Sequence, residues 1–279
     1  MSAGNKRWTT WVVLGLGFAF LYIPIVIVMV YSFNAGKLAT VWQGFSFKWY
    51  GELMRDRQML GAAWISVKIA FLTATAAVVL GTMAALAMTR MAKFPGKTLF
   101  GALITAPLVM PEVIIGLSIL LMFVSLGELV GLAPKGITSI WIAHVTFTLA
   151  FVTVVVSSRL AELDKSLEEA AMDLGANRIK VFFLITLPII APALVSGWLL
   201  AFTLSLDDVV ISSFVAGPNS TTLPMKVFSS VRLGMNPKIN ALATIMIGIV
   251  AIAAFFAWWL MQREEKRRKR DMQLAAKEK

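Results

Sequence analysis

Six apolar runs, at about 11–33, 62–89, 99–126, 138–158, 188–216 and 240–261, dominate the chain, and each carries at most two charged side chains. An α-helix needs about 20 residues to cross the hydrocarbon core of a bilayer, and every run is that long. Lipid offers backbone amides no water, so each run must be helical. The expected fold is therefore all-α, a polytopic membrane protein of six transmembrane helices. With 58% hydrophobic and 15% charged residues, the chain falls well below the charge content of about 25% usual in soluble domains. The first run is longer than a signal-peptide core and has no evident cleavage site, so it is expected to remain as a helix.

The charged residues set the orientation. With the N-terminus inside, inside segments carry 17 Lys and Arg and outside loops 8, while Lys68 lies within the second run and can snorkel outward. The excess places both termini in the cytoplasm. The expected division is a cytoplasmic N-terminus at 1–10, a six-helix transmembrane domain at 11–261 with a cytoplasmic loop at 159–187, and a basic cytoplasmic tail at 262–279. The net charge of +11 does not point to nucleic acid, because eight basic residues sit beyond Gln262 around the run EEKRRKR. Such a run beside a span faces anionic lipid headgroups.

Enzymatic chemistry finds little to work with. There is no cysteine and one histidine, and no His, Asp or Glu cluster has metal-ligand spacing, so neither a catalytic residue nor a metal site is assigned. Gly96-Lys97-Thr98 resembles the end of a phosphate loop, but the required first glycine falls at Met91. The chain is not expected to bind ATP or another cofactor. The lone histidine, His144, reads as a neutral residue hydrogen-bonded inside the bundle. The first outside loop gathers Trp42, Phe45, Phe47, Trp49 and Tyr50. Two readings stand for it: an interfacial aromatic belt, or a lid or docking surface for an external partner.

The loop at 159–187 contains SLEEAAMDLG, residues 166–175. Ser166 and Glu169 have capping-box spacing, which starts a helix at Leu167. Leu167, Ala170, Ala171 and Leu174 then share one apolar face, with Glu168 and Asp173 away from it. Gly175 is placed to close the helix in a left-handed conformation. Two turns are unstable alone in water, so this face packs either on the chain's own helix ends or in a socket on a partner. The run EEAAMDLGA, with ITLP after eight intervening residues, resembles the EAA loop of ABC-importer permease subunits. Glu168 or Glu169, Ala170, Ala171, Gly175, Ile185, Leu187 and Pro188 fit that pattern. The resemblance implies the type I importer permease fold, in which this helix couples to a separate ATP-hydrolysing subunit. On that basis Glu168, Glu169, Ala170, Ala171, Asp173 and Gly175 are the candidate coupling residues.

Three acids lie within spans: Glu112 in LVMPEVIIG, and Asp207 and Asp208 in TLSLDDVVISSF. Each would cost about 2.5–3.5 kcal/mol facing lipid at mid-membrane, so they face protein, water or a cation. Pro107 and Pro111 predict a break near 110, with Glu112 in the first turn of the following half-helix. There it serves as a cap or as part of a substrate site. Asp207 and Asp208 point about 100° apart in a regular helix. One division gives one aspartate to a pathway and the other to a cap or a neighbouring helix; pairing with Lys68 is the alternative. Three acids against one intramembrane base suit a cationic cargo. From about 102 to 248, PLVMPEVIIGLSIL, HVTF, GWLLAFTLSLDDVVISSFVAGP and PKINALATI resemble the permeases of putrescine and spermidine importers. That resemblance implies a heterodimer with a second permease, an ATPase dimer inside, a periplasmic polyamine-binding protein outside, and residence in the bacterial inner membrane. Glu112, Asp207 and Asp208 are then the candidate substrate-pathway residues.

Overall fold

The computed structural model describes residues 3–37, 41–91, 94–131, 136–232, 237–252, 255, 259, 262 and 263. Every regular element among them is helical, and an isolated antiparallel bridge joins Asn34 to Phe45. Among the described residues, five helices are long and apolar enough to cross a membrane, running at Trp8–Tyr31, Arg57–Thr89, Glu112–Leu129, Ile137–Glu162 and Arg178–Asp207. The sixth expected span is a shorter apolar helix at Pro237–Ile252, and most of its remaining length lies outside the described residues, as does the EEKRRKR tail. The chain divides into two compact units, Gln58–Ser229 and the flanking segments Met1–Arg57 with Ser230–Lys279.

In the flanking unit, α1 (Ala3–Tyr31) leads into a loop ordered by one buried side chain. Asn34 Oδ1 accepts the Gly36 and Gln43 amides, and its Nδ2 donates to the Val41 carbonyl. The Trp49 indole donates to the Asn34 carbonyl at 2.7 Å, which anchors the short α2 (Lys48–Arg55). Phe33, Phe45, Phe47 and Tyr50 stack at centroid distances of 5.2–6.0 Å, with Phe45 and Phe47 exposed. Lys238 lies 3.7 Å from Glu52 and 3.5 Å from Asp56.

The central unit is built around α6 (Ile137–Glu162), whose Ile140, Ala143, Ala150, Val152, Val156 and Leu160 are fully buried. One core cluster joins Ile69 of α3 (Arg57–Thr89), Ile115 and Phe123 of α5 (Glu112–Val130), and Phe147 of α6. A second joins Ala74, Ala77 and Ala85 of α3 with Val152 and Leu160 of α6 and Ile190 of α9 (Leu187–Asp207). Small residues let membrane helices approach closely, and Val152 shows the limit. A Cβ on Gly81 would lie 2.9 Å from Val152 Cγ1, and one on Gly197 would lie 3.4 Å from it. Val152 fills the notch between these two glycines.

Two spans are interrupted. The third begins as α4 (Lys97–Thr105), tightens into a 3-10 turn at Ala106–Leu108, and resumes as α5 at Glu112. Pro111 has no N–H to continue the ladder and keeps Met110 from settling deep in the α region, so the expected break is present. The fifth begins at α8 (Arg178–Val181), passes through a π turn at Phe182–Thr186, and continues as α9. Pro188 and Pro192 withdraw two amides from this stretch, which favours the widened turn. The helix ends at Asp207, and α10 (Val210–Val215) follows. The sequence expectation drew 188–216 as one run. The interruption at Asp208 carries no proline and arises from side-chain bonding described below.

Candidate functional site

The two half-helices that begin at the breaks pack side by side. A Cβ on Gly116 of α5 would lie 2.7 Å from Phe214 and 3.3 Å from the Ile211 Cα of α10. The bare backbone at Gly116 therefore sets the distance between α5 and α10. It brings Glu112, at the start of α5, within electrostatic reach of both Asp207 and Asp208.

The adjacent aspartates are placed very differently. Asp208 is 8% exposed and fully engaged. Its backbone is extended, so its carboxylate turns onto α10 and accepts the amides of Ile211 (3.1 Å) and Ser212 (2.7 Å). His144 Nε2 of α6 lies 3.1 Å from the same carboxylate and 3.1 Å from the Ser212 hydroxyl, while its Nδ1 lies 2.7 Å from the Ser205 hydroxyl. A carboxylate only accepts, so Nε2 carries a proton, and Nδ1 pairs with the Ser205 hydroxyl. His144 thus sits hydrogen-bonded inside the bundle, joining α6, α9 and α10. Ser205 and Ser212 were not singled out in the sequence, because they meet His144 across 61 and 68 residues.

Asp207 and Glu112 are exposed on the protein surface. No ion pair joins Lys68 to any of the three acids among the described residues. The exposed Thr203 and Ser196 lie four and eleven residues before Asp207, on the same face of α9. Their hydroxyls donate to the carbonyls of Leu199 (2.7 Å) and Pro192 (2.9 Å), which leaves the oxygens free to accept. Period-3.6 counting back from Asp207 would have found both.

The second region is α7 (Lys165–Asp173) and its surroundings. The expected Ser166–Glu169 capping box does not form. The chain leaves α6 extended at Leu163 and Asp164, so the helix starts at Lys165 and the Asp164 carboxylate caps it by accepting the Ser166 amide at 2.9 Å. Bonding from Ser166 holds the Asp164 carboxyl below its ordinary value. Such a group stabilises above the usual carboxylate range and is lost only as pH falls through the lowered value, so the cap is intact at neutral pH. At the other end Gly175 has φ +88°, with the Ala176 amide bonded to Ala171 O (3.0 Å) and the Gly175 amide to Met172 O (2.9 Å). This is the expected left-handed closure.

Glu169, Ala170, Asp173 and Gly175 are exposed and Ala171 is half-buried. Leu174, at 91% exposure, stands clear of the protein. Glu168 differs from this group. It turns inward, pairing with Arg90 at 3.0 Å and accepting the Thr186 hydroxyl at 2.8 Å.

Long apolar helices broken at acidic residues, with a short capped helix hung on polar loops, define a polytopic helical membrane permease. The chain belongs to the family of binding-protein-dependent transport system inner membrane components, which matches residues 77–270. It is 61% identical over 95% of its length to the putrescine transport system permease protein PotI of Escherichia coli K12, covering 94% of that protein. It is 40% identical to the spermidine/putrescine transport system permease protein PotC of the same strain, over 89% of this chain and 91% of that one. In solved structures, the fold matches a chain of a bacterial ABC transporter involved in import of the acidic polysaccharide alginate. The TM-score is 0.71 at 16% identity, over 94% of this chain and 98% of that one. That likeness concerns the fold alone.

Proposed function

We propose that the chain is one transmembrane subunit of an ATP-driven polyamine importer, carrying putrescine or spermidine across the bacterial inner membrane with both termini in the cytoplasm. The observation that carries the cargo class is the placement of Glu112 and Asp207. Two acids stand exposed at neighbouring helix breaks without a cationic partner among the described residues. A diamine supplies the missing positive charge. Each ammonium group donates to a carboxylate, and the apolar chain between them suits the surrounding Leu, Val and Pro side chains. Asp208 serves the same site indirectly. Its carboxylate is occupied by two amides and His144, so it fixes the break that presents Asp207. The Thr203 and Ser196 oxygens continue the acceptor surface along α9.

On this reading α7 docks into a cytoplasmic ATPase dimer through Leu167, Glu169, Ala170, Ala171, Asp173, Leu174 and Gly175. A second, homologous permease completes the pathway, and a periplasmic polyamine-binding protein delivers the cargo. The names of the 61% and 40% identical relatives support the cargo, and the exposure of the α7 apolar face supports the docking. The test is uptake of labelled putrescine and spermidine by proteoliposomes holding the purified complex. Uptake is expected only with ATP on the α7 side and the binding protein on the other. Uptake driven by a proton or sodium gradient without ATP would overturn the proposal.

A further inference from the structure

Arg90 gathers three parts of the central unit that are distant in sequence. It follows α3 directly, and its amide continues that helix by bonding to Leu86 O at 2.8 Å. Its guanidinium pairs with Glu168 in the middle of α7 at 3.0 Å and donates to the Leu163 carbonyl, at the corner between α6 and α7, at 3.2 Å. Glu168 in turn accepts from Thr186, the last residue of the π turn that opens the fifth span. The Arg90 and Glu168 side chains are 15% and 16% exposed, in the wall of a cleft of about 630 Å³ between α7 and α8. Partly desolvated, charge-assisted bonds of this kind are the stronger ones.

Without this cluster, α7 would be joined to the spans mainly through its flanking backbone: the extended pair Leu163–Asp164 before it and the closure at Leu174–Asn177 after it. The capping and turn bonds of these segments, from Ser166 to Asp164 and from Gly175 and Ala176 to Met172 and Ala171, reach no span. The cluster supplies the rigid link. A displacement of α7 must either break the Glu168 bonds or carry the end of α3 and the π turn with it. π turns inside α-helices are frequent at functional sites, which makes the start of the fifth span a fitting receiver.

We infer that Arg90, Glu168 and Thr186 form the joint that delivers movement of α7 to the second and fifth spans, with Glu168 a positioning residue that acts within its own chain. This inference rests on the coupling role of α7. Its separate content is that Glu168, unlike Glu169, is not spent on the partner.

The test compares Arg90→Gln, Glu168→Gln, the conservative Arg90→Lys and the swap Arg90→Glu with Glu168→Arg, each in the whole complex with wild type alongside. The readouts are copurification of the ATPase and uptake per ATP hydrolysed. Both Gln variants are expected to retain the ATPase while uptake per ATP falls about 10-fold, within the usual range of coupling between sites. The swap and Arg90→Lys are expected to recover at least part of that loss. If Glu168→Gln sheds the ATPase while Arg90→Gln behaves as wild type, Glu168 is a partner contact and the inference fails. Unchanged uptake per ATP in both Gln variants, or a swap no better than either single change, also overturns it. Should wild type itself show no ATP-dependent uptake, the coupling role falls and the joint with it; wild-type coupling with the other failures removes the joint alone.

Discussion

At the scale of single residues, two neighbouring aspartates stand in opposite environments, Asp208 buried and bonded and Asp207 exposed. On the pathway reading, converting Asp207 to Asn removes a charge-assisted contact worth about 1.5–3 kcal/mol. Uptake is expected to fall about 10- to 100-fold on that basis, with the melting temperature of the detergent-purified complex unchanged. Converting Asp208 to Asn places an amide where three donors converge, and leaving a buried donor unsatisfied costs about 1–3 kcal/mol. Its melting temperature is expected to drop by several degrees. Melting curves and uptake measured on both variants decide it, and identical behaviour of the two would contradict the division. The sequence shows both acids and the reason they cannot face lipid. It does not show which is spent, because His144 reaches Asp208 across 64 residues and no local spacing records that meeting.

Elements were legible where backbone chemistry is local. Pro111 announced its break, and Gly175 announced a positive φ that the structure gives as +88°. Gly175→Val is expected to unravel the turn after α7, since a β-branched residue in that region is strongly disfavoured. Copurification of the ATPase measures it, with Gly175→Asn as the tolerated control because Asn enters the left-handed region most readily after Gly. Full retention of the ATPase by the Val variant would contradict the docking of α7. The break at Asp208 and the π turn at Phe182–Thr186 were not legible. The first is built by a carboxylate folding onto the next helix, and the second is the helix's response to two withdrawn amides. The helix cap was misplaced by two residues, because Asp164 lies closer to the corner that the chain turns after α6.

For the whole molecule, hydropathy located five spans among the described residues, and their packing partners stayed hidden. Nothing in the counts of Ala and Gly on α3 says that Val152 will meet Gly81 and Gly197. Orientation rests on the 17-to-8 distribution of basic residues and is open to direct measurement, because the chain has no cysteine. Single cysteines at Phe45 and Leu174, both exposed, are expected to report opposite faces. An impermeant thiol reagent added to intact spheroplasts should label Phe45→Cys and leave Leu174→Cys untouched until the membrane is opened. The reverse pattern would invert the topology and remove α7 from the compartment where ATP is hydrolysed.

The separation of Asp207 from Asp208 also bears on how such a protein can change over evolutionary time. A residue held by its own architecture cannot drift, whereas one that answers only to cargo can. Asp208 belongs to the first kind and, on the pathway reading, Asp207 to the second. A lineage could trade the charge at 207 for another side chain, and so admit a different solute, while the histidine lock and the helix start at 210 stay in place.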